Sequence, residues 1–452
     1  MNKHHIPVKV LREMITGFRK VVPRNSETLR ELKIDLARGT ITATDGSAFL
    51  SYQLGRPSAE GRSYLLSFDG LSHFAKGLPT SQEILLEAEA DLATLTTVDR
   101  KCFAKLMKPD DPYGTPPSFL GKDQSVTPDD RAAILRACSC AGTDDSRYLL
   151  QGVYLDNGGS SSQVIGTDGR CLYHELLQSL EIQKPFILPT SSLLKWRGFG
   201  DDWRLKVDHR KEKPAMIQLT AGPWRFTVPA VEGNYPNWRQ VIPEVRSRLS
   251  RLTLGKDDIA TLRGLKGDSI GFLSNADEVR FVTFDKEANK WITHLTKDSS
   301  LKGPPSRVFL DPKFLARALD ADLTEVCMAD ECDAILFRGK GQLVVMPRRV
   351  AGPAIPGQET EARQQEPKNP VAPAPPKPME NNTPNPNPTT PAHDAALESL
   401  RTLKGQLRES IGLVDESLRH LREMQVDHRA TKKDMNTIRG TLQSLKNVAF
   451  AN

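Results

Sequence analysis

Along the first 350 residues, short runs that alternate apolar and polar positions are separated by Asp-, Ser- or Pro-bearing turns and by brief stretches with apolar residues three and four apart. The alternation predicts half-buried antiparallel strands, and the three–four spacing predicts amphipathic helices. One strand–turn–helix pattern occurs three times: SYLLSFDGLSHFAKGLPT (63–80), PFILPTSSLLKWRGFG (185–200) and RVFLDPKFLARALDAD (307–322). Leu66, Leu188 and Leu310 hold the same place in each, 122 residues apart both times. The Thr-Asp-Gly turns of ITATDGSAFL and VIGTDGRCLY recur at 123 residues (Asp45, Asp168), and KCFAKLM aligns with WRFTVPAV at the same offset through Phe103 and Phe226. Such a period is the size of a whole small domain and too long for a solenoid unit.

The chain therefore reads as α+β, with three tandem similar domains over 1–124, 125–245 and 246–350. Each is expected to hold two helices and about eight antiparallel strands. The leading helices are predicted over 8–22, 128–140 and 256–267; the last two start on aspartates, which suit the exposed amides of a helix N-terminus. The strand GQLVVMPRRV (341–350) closes the third copy. Beyond it, 351–392 holds twelve prolines in 42 positions, a composition that builds an extended linker and not a core. Over 393–452 the helical pattern returns. Leu400, Leu403, Leu407, Ile411, Val414, Leu418 and Leu421 keep a coiled-coil seam, Gln425, His428 and Lys432 interrupt it, and Met435, Ile438, Leu442 and Leu445 resume it. A seam of this kind needs a partner, which the sequence does not identify.

Charge and chemistry narrow the function. Residues 1–350 carry 49 Lys/Arg against 44 Asp/Glu, a mildly basic balance compatible with a polyanion. No run of about 18 apolar residues suggests a membrane span. The six cysteines form neither a CxxC pair nor a disulfide framework, which fits a reducing cytoplasm. P-loop, HExxH, GxSxG and paired Cys/His spacings are all missing, so the reading is of a non-catalytic chain with no cofactor and no metal. Asp45 and Asp168 are explained as hairpin-turn residues before they are explained as catalysts.

RYLLQGVYL (147–155), GTDGRCLYHE (166–175), EGNYPNWRQVIP (232–243) and VVMPRRV (344–350), in this order and spacing, resemble the bacterial sliding clamp, the β subunit of DNA polymerase III. The likeness is specific over about 125–350 and rests mainly on the repeat in 1–124. It implies a head-to-tail ring of two chains whose helices line a hole for duplex DNA, contacted without base reading. The helix-borne cations that would serve are Arg12, Arg19, Lys20, Lys76, Arg131, Arg136, Lys195, Arg197, Arg263, Lys266, Lys313 and Arg317.

The resemblance also implies a groove between the second and third domains in which polymerase and clamp loader insert a short peptide. Carried over by position, it would be built from Arg147, Leu150, Thr167, Gly169, Arg170, Leu172, Pro236, Val241, Asp311, Phe314, Val344, Val345, Met346, Pro347 and Arg348. Arg170-Cys171 and Gln240 depart from the family's usual residues and would alter the polar rim. Ring closure as a homodimer is expected to use Phe103 on one side and Phe272 and Leu273 on the other, with Lys105 where a leucine is usual. The function so implied is a processivity clamp. The alternative is a clamp-like scaffold acting through its tail.

Overall fold

The computed structural model describes residues 2–349 apart from 25, 27–28, 56–60, 109–110, 112, 115, 117–118, 120, 160, 211–213, 245–248, 276–277, 286 and 288. The described residues all belong to one compact unit. The linker and the helical seam expected over 351–452 lie outside the described residues.

The first repeat runs β1 (Asn2–Pro7), α1 (Val8–Phe18), β2 (Glu31–Asp35), β3 (Thr40–Thr44), β4 (Phe49–Gln53), β5 (Ser63–Ser67), α2 (Phe68–Phe74), β6 (Glu83–Glu89), β7 (Leu92–Thr96) and β8 (Lys101–Leu106). The second runs β9 (Gln124–Ser125), α3 (Pro128–Cys140), β10 (Gly152–Asn157), β11 (Ser162–Thr167), β12 (Cys171–Leu176), β13 (Phe186–Pro189), β14 (Arg204–Asp208), β15 (Met216–Ala221) and β16 (Trp224–Pro229). The third runs β17 (Ser250–Thr253), α4 (Lys256–Gly264), β18 (Ile270–Ser274), β19 (Val279–Asp285), β20 (Lys290–Leu295), β21 (Ser300–Lys302), β22 (Arg307–Leu310), α5 (Pro312–Asp320), β23 (Glu325–Met328), β24 (Ile335–Arg338) and β25 (Gln342–Val345). The fold is α+β, as the pattern predicts. The helix expected near 190–200 is the exception: it is reduced to turns and one 3-10 turn, Arg197–Phe199. Gly198 and Gly200 fall inside it, and Gly200 takes φ +93°, so the chain leaves helical geometry there.

Sheets continue from one repeat into the next. A twelve-stranded sheet has the order β1-β6-β7-β8-β5-β2-β3-β4-β16-β15-β14-β9, joining the first repeat to the second through β4 and β16. A nine-stranded sheet, β13-β10-β11-β12-β25-β24-β23-β17-β21, joins the second to the third through β12 and β25. Both junctions pair the third strand of one repeat's meander with the closing strand of the next. The four-stranded sheet β20-β19-β18-β22 leaves β20, the third meander strand of the third repeat, on an open edge.

The Asp-rich helix starts do more than meet a helix dipole. Asp130 on α3 accepts hydrogen bonds from the backbone N–H of Gln178, Ser179 and Leu180 at 2.7, 2.9 and 3.1 Å. Asp258 on α4 does the same for Lys297, Asp298 and Ser299 at 2.9, 3.2 and 2.9 Å. Each carboxylate ties a helix to a loop roughly forty to fifty residues away, a use that local sequence cannot show.

Strand alternation then sorts the faces. Leu32, Ile34, Ile41, Ala43 and Leu50 share one core with Leu11, Met14 and Phe18 of α1. The alternate residues Lys33, Asp35, Thr42 and Ser51 lie on the opposite, outer face, with Lys33, Thr42 and Ser51 in one cross-strand row. β8 and β16 correspond as strands, but Phe103 and Phe226 do not correspond as residues. Phe226 is in the core, whereas Phe103 is 57% exposed. The hairpin before β8 has four connecting residues and the one before β16 has two, and with a period of two a one-residue slip turns a side chain to the other face.

Candidate functional site

The junction of β12 with β25 gathers most of the expected groove. Leu172 pairs with Val344 and Cys171 with Val345, and the N–H of Met346 donates to the carbonyl of Arg170 at 2.9 Å. The Thr167–Cys171 turn that this places beside Met346 is a tightly bonded unit. The Thr167 hydroxyl donates to the Cys171 carbonyl at 2.6 Å, and the Asp168 carboxylate accepts from the N–H of Arg170 and Cys171 at 2.8 and 2.9 Å. Thr44–Ala48 repeats these bonds, with Thr44 on the Ala48 carbonyl and Asp45 on the N–H of Ser47 and Ala48. The motif is thus a turn device at both places. Gly169 sits at φ +84°, and a Cβ there would come within 2.9 Å of Arg147 Nη1, so glycine serves both the turn and the approach of Arg147.

Side chains of the groove divide by face. Leu172 and Val344 are buried in a small outer cluster with Ile165, Trp238, Cys327 and Leu336, against which Tyr154, Tyr235 and Ile242 pack. Phe314 and Val345 belong to the main core instead. What stands open is Tyr148, Leu176, Val241 and Met346, each about half exposed. Pro236 and Val241 flank Trp238, whose packing on Leu172 and Val344 draws their loop to the junction. Asp311 accepts from the N–H of Lys313 and caps α5, and Arg348 is held by the carbonyls of Phe309 and Asp268, so both serve the third repeat's own structure. The aromatic cluster of Tyr154, Tyr235 and Trp238 under the groove went unnoticed in the sequence; NYPNW carries its signal. Of the two departures at 170–171, Arg170 is exposed and Cys171 is buried, so only the arginine reaches the rim.

Arg317 fastens the two repeats beneath this turn. Its guanidinium lies 3.5 Å from the Asp168 carboxylate and 3.0 Å from Cys171 Sγ, over the Phe314 ring. Burial would raise the Asp168 carboxyl, but the N–H groups of Cys171 and Arg170, with Arg317 beside it, bring it below the usual range. The Cys171 thiol is pushed up by its hydrogen bond with Cys140 and by burial.

Several of the cations expected to face DNA have carboxylate partners within the chain. Arg131 pairs with Asp201 at 2.8 Å, Arg136 with the buried Glu175 at 3.0 Å, Arg263 with Asp320 at 3.5 Å, and Lys313 with Asp311 at 3.2 Å. With Arg317 they are engaged in structure. Lys20 is half-buried over Trp196, and the exposed Arg12 donates to the Leu78 carbonyl. Arg19, Lys76, Lys195, Arg197 and Lys266 are exposed and have no carboxylate partner among the described residues.

Phe103, Phe272 and Leu273, expected at ring closure, differ in exposure. Phe272 is buried at 1% exposure against Phe281 and Phe337, and β18, which carries it and Leu273, is paired on both sides. The open edge of this repeat is β20, with Ile292 38% and Leu295 68% exposed. At the other end of the chain, β8 pairs with β5 only at Leu106 and Lys105, leaving Lys101–Ala104 open beside the exposed Phe103. Lys105 is ion-paired to Glu31 at 3.0 Å.

Solved structures with the same arrangement include the DNA polymerase sliding clamp of Pseudomonas aeruginosa (TM-score 0.64, 17% identity, 77% of this chain and 100% of that one) and that of Bacillus subtilis (TM-score 0.65, 16% identity, 77% and 99%). The fold is that of a bacterial sliding clamp. In sequence, the chain is 24% identical over 230 residues to the beta sliding clamp of Haemophilus influenzae, a match covering 48% of this chain and 60% of that protein's length. No family model matches the chain. Within this clamp fold, no described helix is long and apolar enough to cross a membrane, and no cluster of three metal-ligating side chains occurs among the described residues.

Proposed function

We propose that the chain is a non-catalytic DNA sliding clamp. Two copies close head to tail around duplex DNA and tether a polymerase, or another partner carrying a short apolar peptide, at the β12–β25 groove. The observation that carries this reading is the repeated junction. β4 joins β16, β12 joins β25, and the one analogous pair left unjoined in a single chain is β20 and β8. A second copy supplies that pairing, and the exposed Phe103, Ile292 and Leu295 lie at the two edges it would bury. The curated relative is named a beta sliding clamp, and the exposed cations Arg19, Lys76, Lys195, Arg197 and Lys266 suit a sequence-independent hold on phosphates.

Retention on nicked circular plasmid tests the reading directly. Loaded with a clamp loader, the protein should stay on circles through gel filtration and be lost once the plasmid is linearised, because a closed ring slides off a free end. Loss from both forms alike would overturn the ring and leave the scaffold reading.

The groove has its own test. Met346→Asp places a carboxylate where an apolar anchor would sit. It should weaken a fluorescent polymerase-derived peptide by about 30-fold or more, from about 2 kcal/mol of lost burial and added desolvation. Retention on circles should not change, since Met346 lies away from both open edges. Unaltered peptide affinity would remove the groove from this junction.

A further inference from the structure

Cys171, the buried member of the Arg170-Cys171 pair at the groove turn, faces a second buried thiol. It lies on the helix side of its sheet, in the main core that also takes Tyr173 two positions on. The end of α3 covers the same ground. A Cβ on Gly166 would fall 2.1 Å from the Ala137 carbonyl oxygen, and one on Gly142 would fall 3.7 Å from the Asp168 Cα. The chain is therefore held against β11 at Ala137 and against the Thr167–Cys171 turn at Gly142, with Cys140 between the two contacts. Cys140 and Cys171 are both free thiols of that core, and they are hydrogen-bonded to each other.

Their surroundings treat the two sulfurs differently. Arg317 Nη1 lies 3.0 Å from Cys171 Sγ, and the Ser139 hydroxyl lies 3.8 Å from Cys140 Sγ. The hydrogen bond from Cys171, the Arg317 charge and Ser139 hold the Cys140 thiol below its usual range, against burial and the Asp168 carboxylate. Cys171, the donor, keeps its proton. Cys138 on the same helix gives the contrast, since burial pushes its thiol up to about 12. A sulfur inclined to ionise, in contact with one that stays protonated, is the arrangement of an attacking and a resolving thiol.

We propose that Cys140 and Cys171 are a hydroperoxide-reactive dithiol that closes to a disulfide beneath the groove turn. The Cys140 thiolate attacks the terminal oxygen of the hydroperoxide. The O–O bond breaks, the leaving oxygen takes up a proton to give an alcohol (water, from hydrogen peroxide), and Cys140 becomes a sulfenic acid. The Cys171 sulfur then attacks Cys140 Sγ. The S–O bond breaks, and the hydroxide leaves with the Cys171 proton as water. Two electrons pass from the sulfurs to the peroxide, so two thiols and one hydroperoxide give one disulfide, one alcohol and one water. Access needs only a local opening at the helix end, because Ala141 and Gly142 are half-buried and 143–148 are exposed.

Treatment of the full-length chain with hydrogen peroxide, followed by intact mass and non-reducing peptide mapping, tests this. The folded chain should lose two hydrogens and yield a Cys140–Cys171 cross-linked peptide, both reversed by dithiothreitol. Cys171→Ser should stop the reaction at a sulfenic acid on Cys140, trapped by dimedone, whereas Cys140→Ser should leave Cys171 a thiol. A link formed only in urea would overturn the dithiol. So would the absence of the link while the exposed Cys332 is oxidised, or dimedone trapping at Cys171 in place of Cys140. The mass and mapping use the unaltered chain, so they decide the matter even where a variant folds poorly. Neither result depends on ring closure or on peptide binding.

Discussion

A chain carrying Phe103→Asp will sediment as a single copy at concentrations where the parent chain sediments as two, and it will no longer be retained on circular plasmid. Phe103 is 57% exposed on the open end of β8, so the free chain spends nothing to keep it there and loses little fold stability without it. Covered by the β20 edge of a second copy, the ring would contribute about 1.5–3 kcal/mol. A carboxylate in its place must be desolvated against Ile292 and Leu295, at a further cost of several kcal/mol. A head-to-tail pair closes through two identical contacts, so the penalty counts twice. At about 1.4 kcal/mol per tenfold, the dimer should weaken by at least about four orders of magnitude. Leu295→Asp, 68% exposed on the facing edge, should reproduce the effect from the other side. Sedimentation of Phe103→Asp as two copies would mean that β8 and β20 are not the closing edges.

Phe103 and Phe272 read alike in the sequence, and what leaves one exposed and the other buried is strand position. Both are aromatic residues in short strands, and nothing local separates an edge strand from a central one. Pairing partners decide it: β18 has neighbours on both sides and β8 runs past β5. The three-fold repeat was readable because its markers are local. A Thr-Asp-Gly turn bonds within five residues, and a strand–turn–helix segment announces itself by a change of period. The helix expected near 190–200 gives way for an equally local reason: Gly198 and Gly200 interrupt it, while the apolar Leu193 and Leu194 that suggest it are both fully buried.

Long-range pairing was the part sequence could not supply. The expected cations lie on or beside the helices, yet the carboxylates that occupy Arg131, Arg136, Arg263 and Arg317 lie between 39 and 149 positions away along the chain. The residues expected at the groove adjoin one another because the β12–β25 ladder, whose two strands the pattern predicts, brings the strand ends and the turn together. Even there, the Tyr154, Tyr235 and Trp238 support escaped notice.

Arg136→Ala separates a structural cation from a DNA-facing one, and its expected result is a loss of about 3–5 kcal/mol of stability. Glu175 is 2% exposed on β12, accepts two bonds from Arg136 at 3.0 and 3.3 Å, and also accepts the Tyr173 hydroxyl. Removing the guanidinium leaves a carboxylate buried with one neutral donor, and the cost is mainly that of an uncompensated charge. Adding Glu175→Gln removes the charge, so the double variant should recover a substantial part of the loss in urea unfolding. Arg19→Ala is the contrast. It lies exposed just beyond α1, so its loss should leave stability unchanged while reducing the salt dependence of DNA binding by about one counterion. If Arg136→Ala instead left the unfolding midpoint in place and lowered the salt slope, the guanidinium would be turned to phosphate in solution. The buried pair with Glu175 would then not hold the second repeat together.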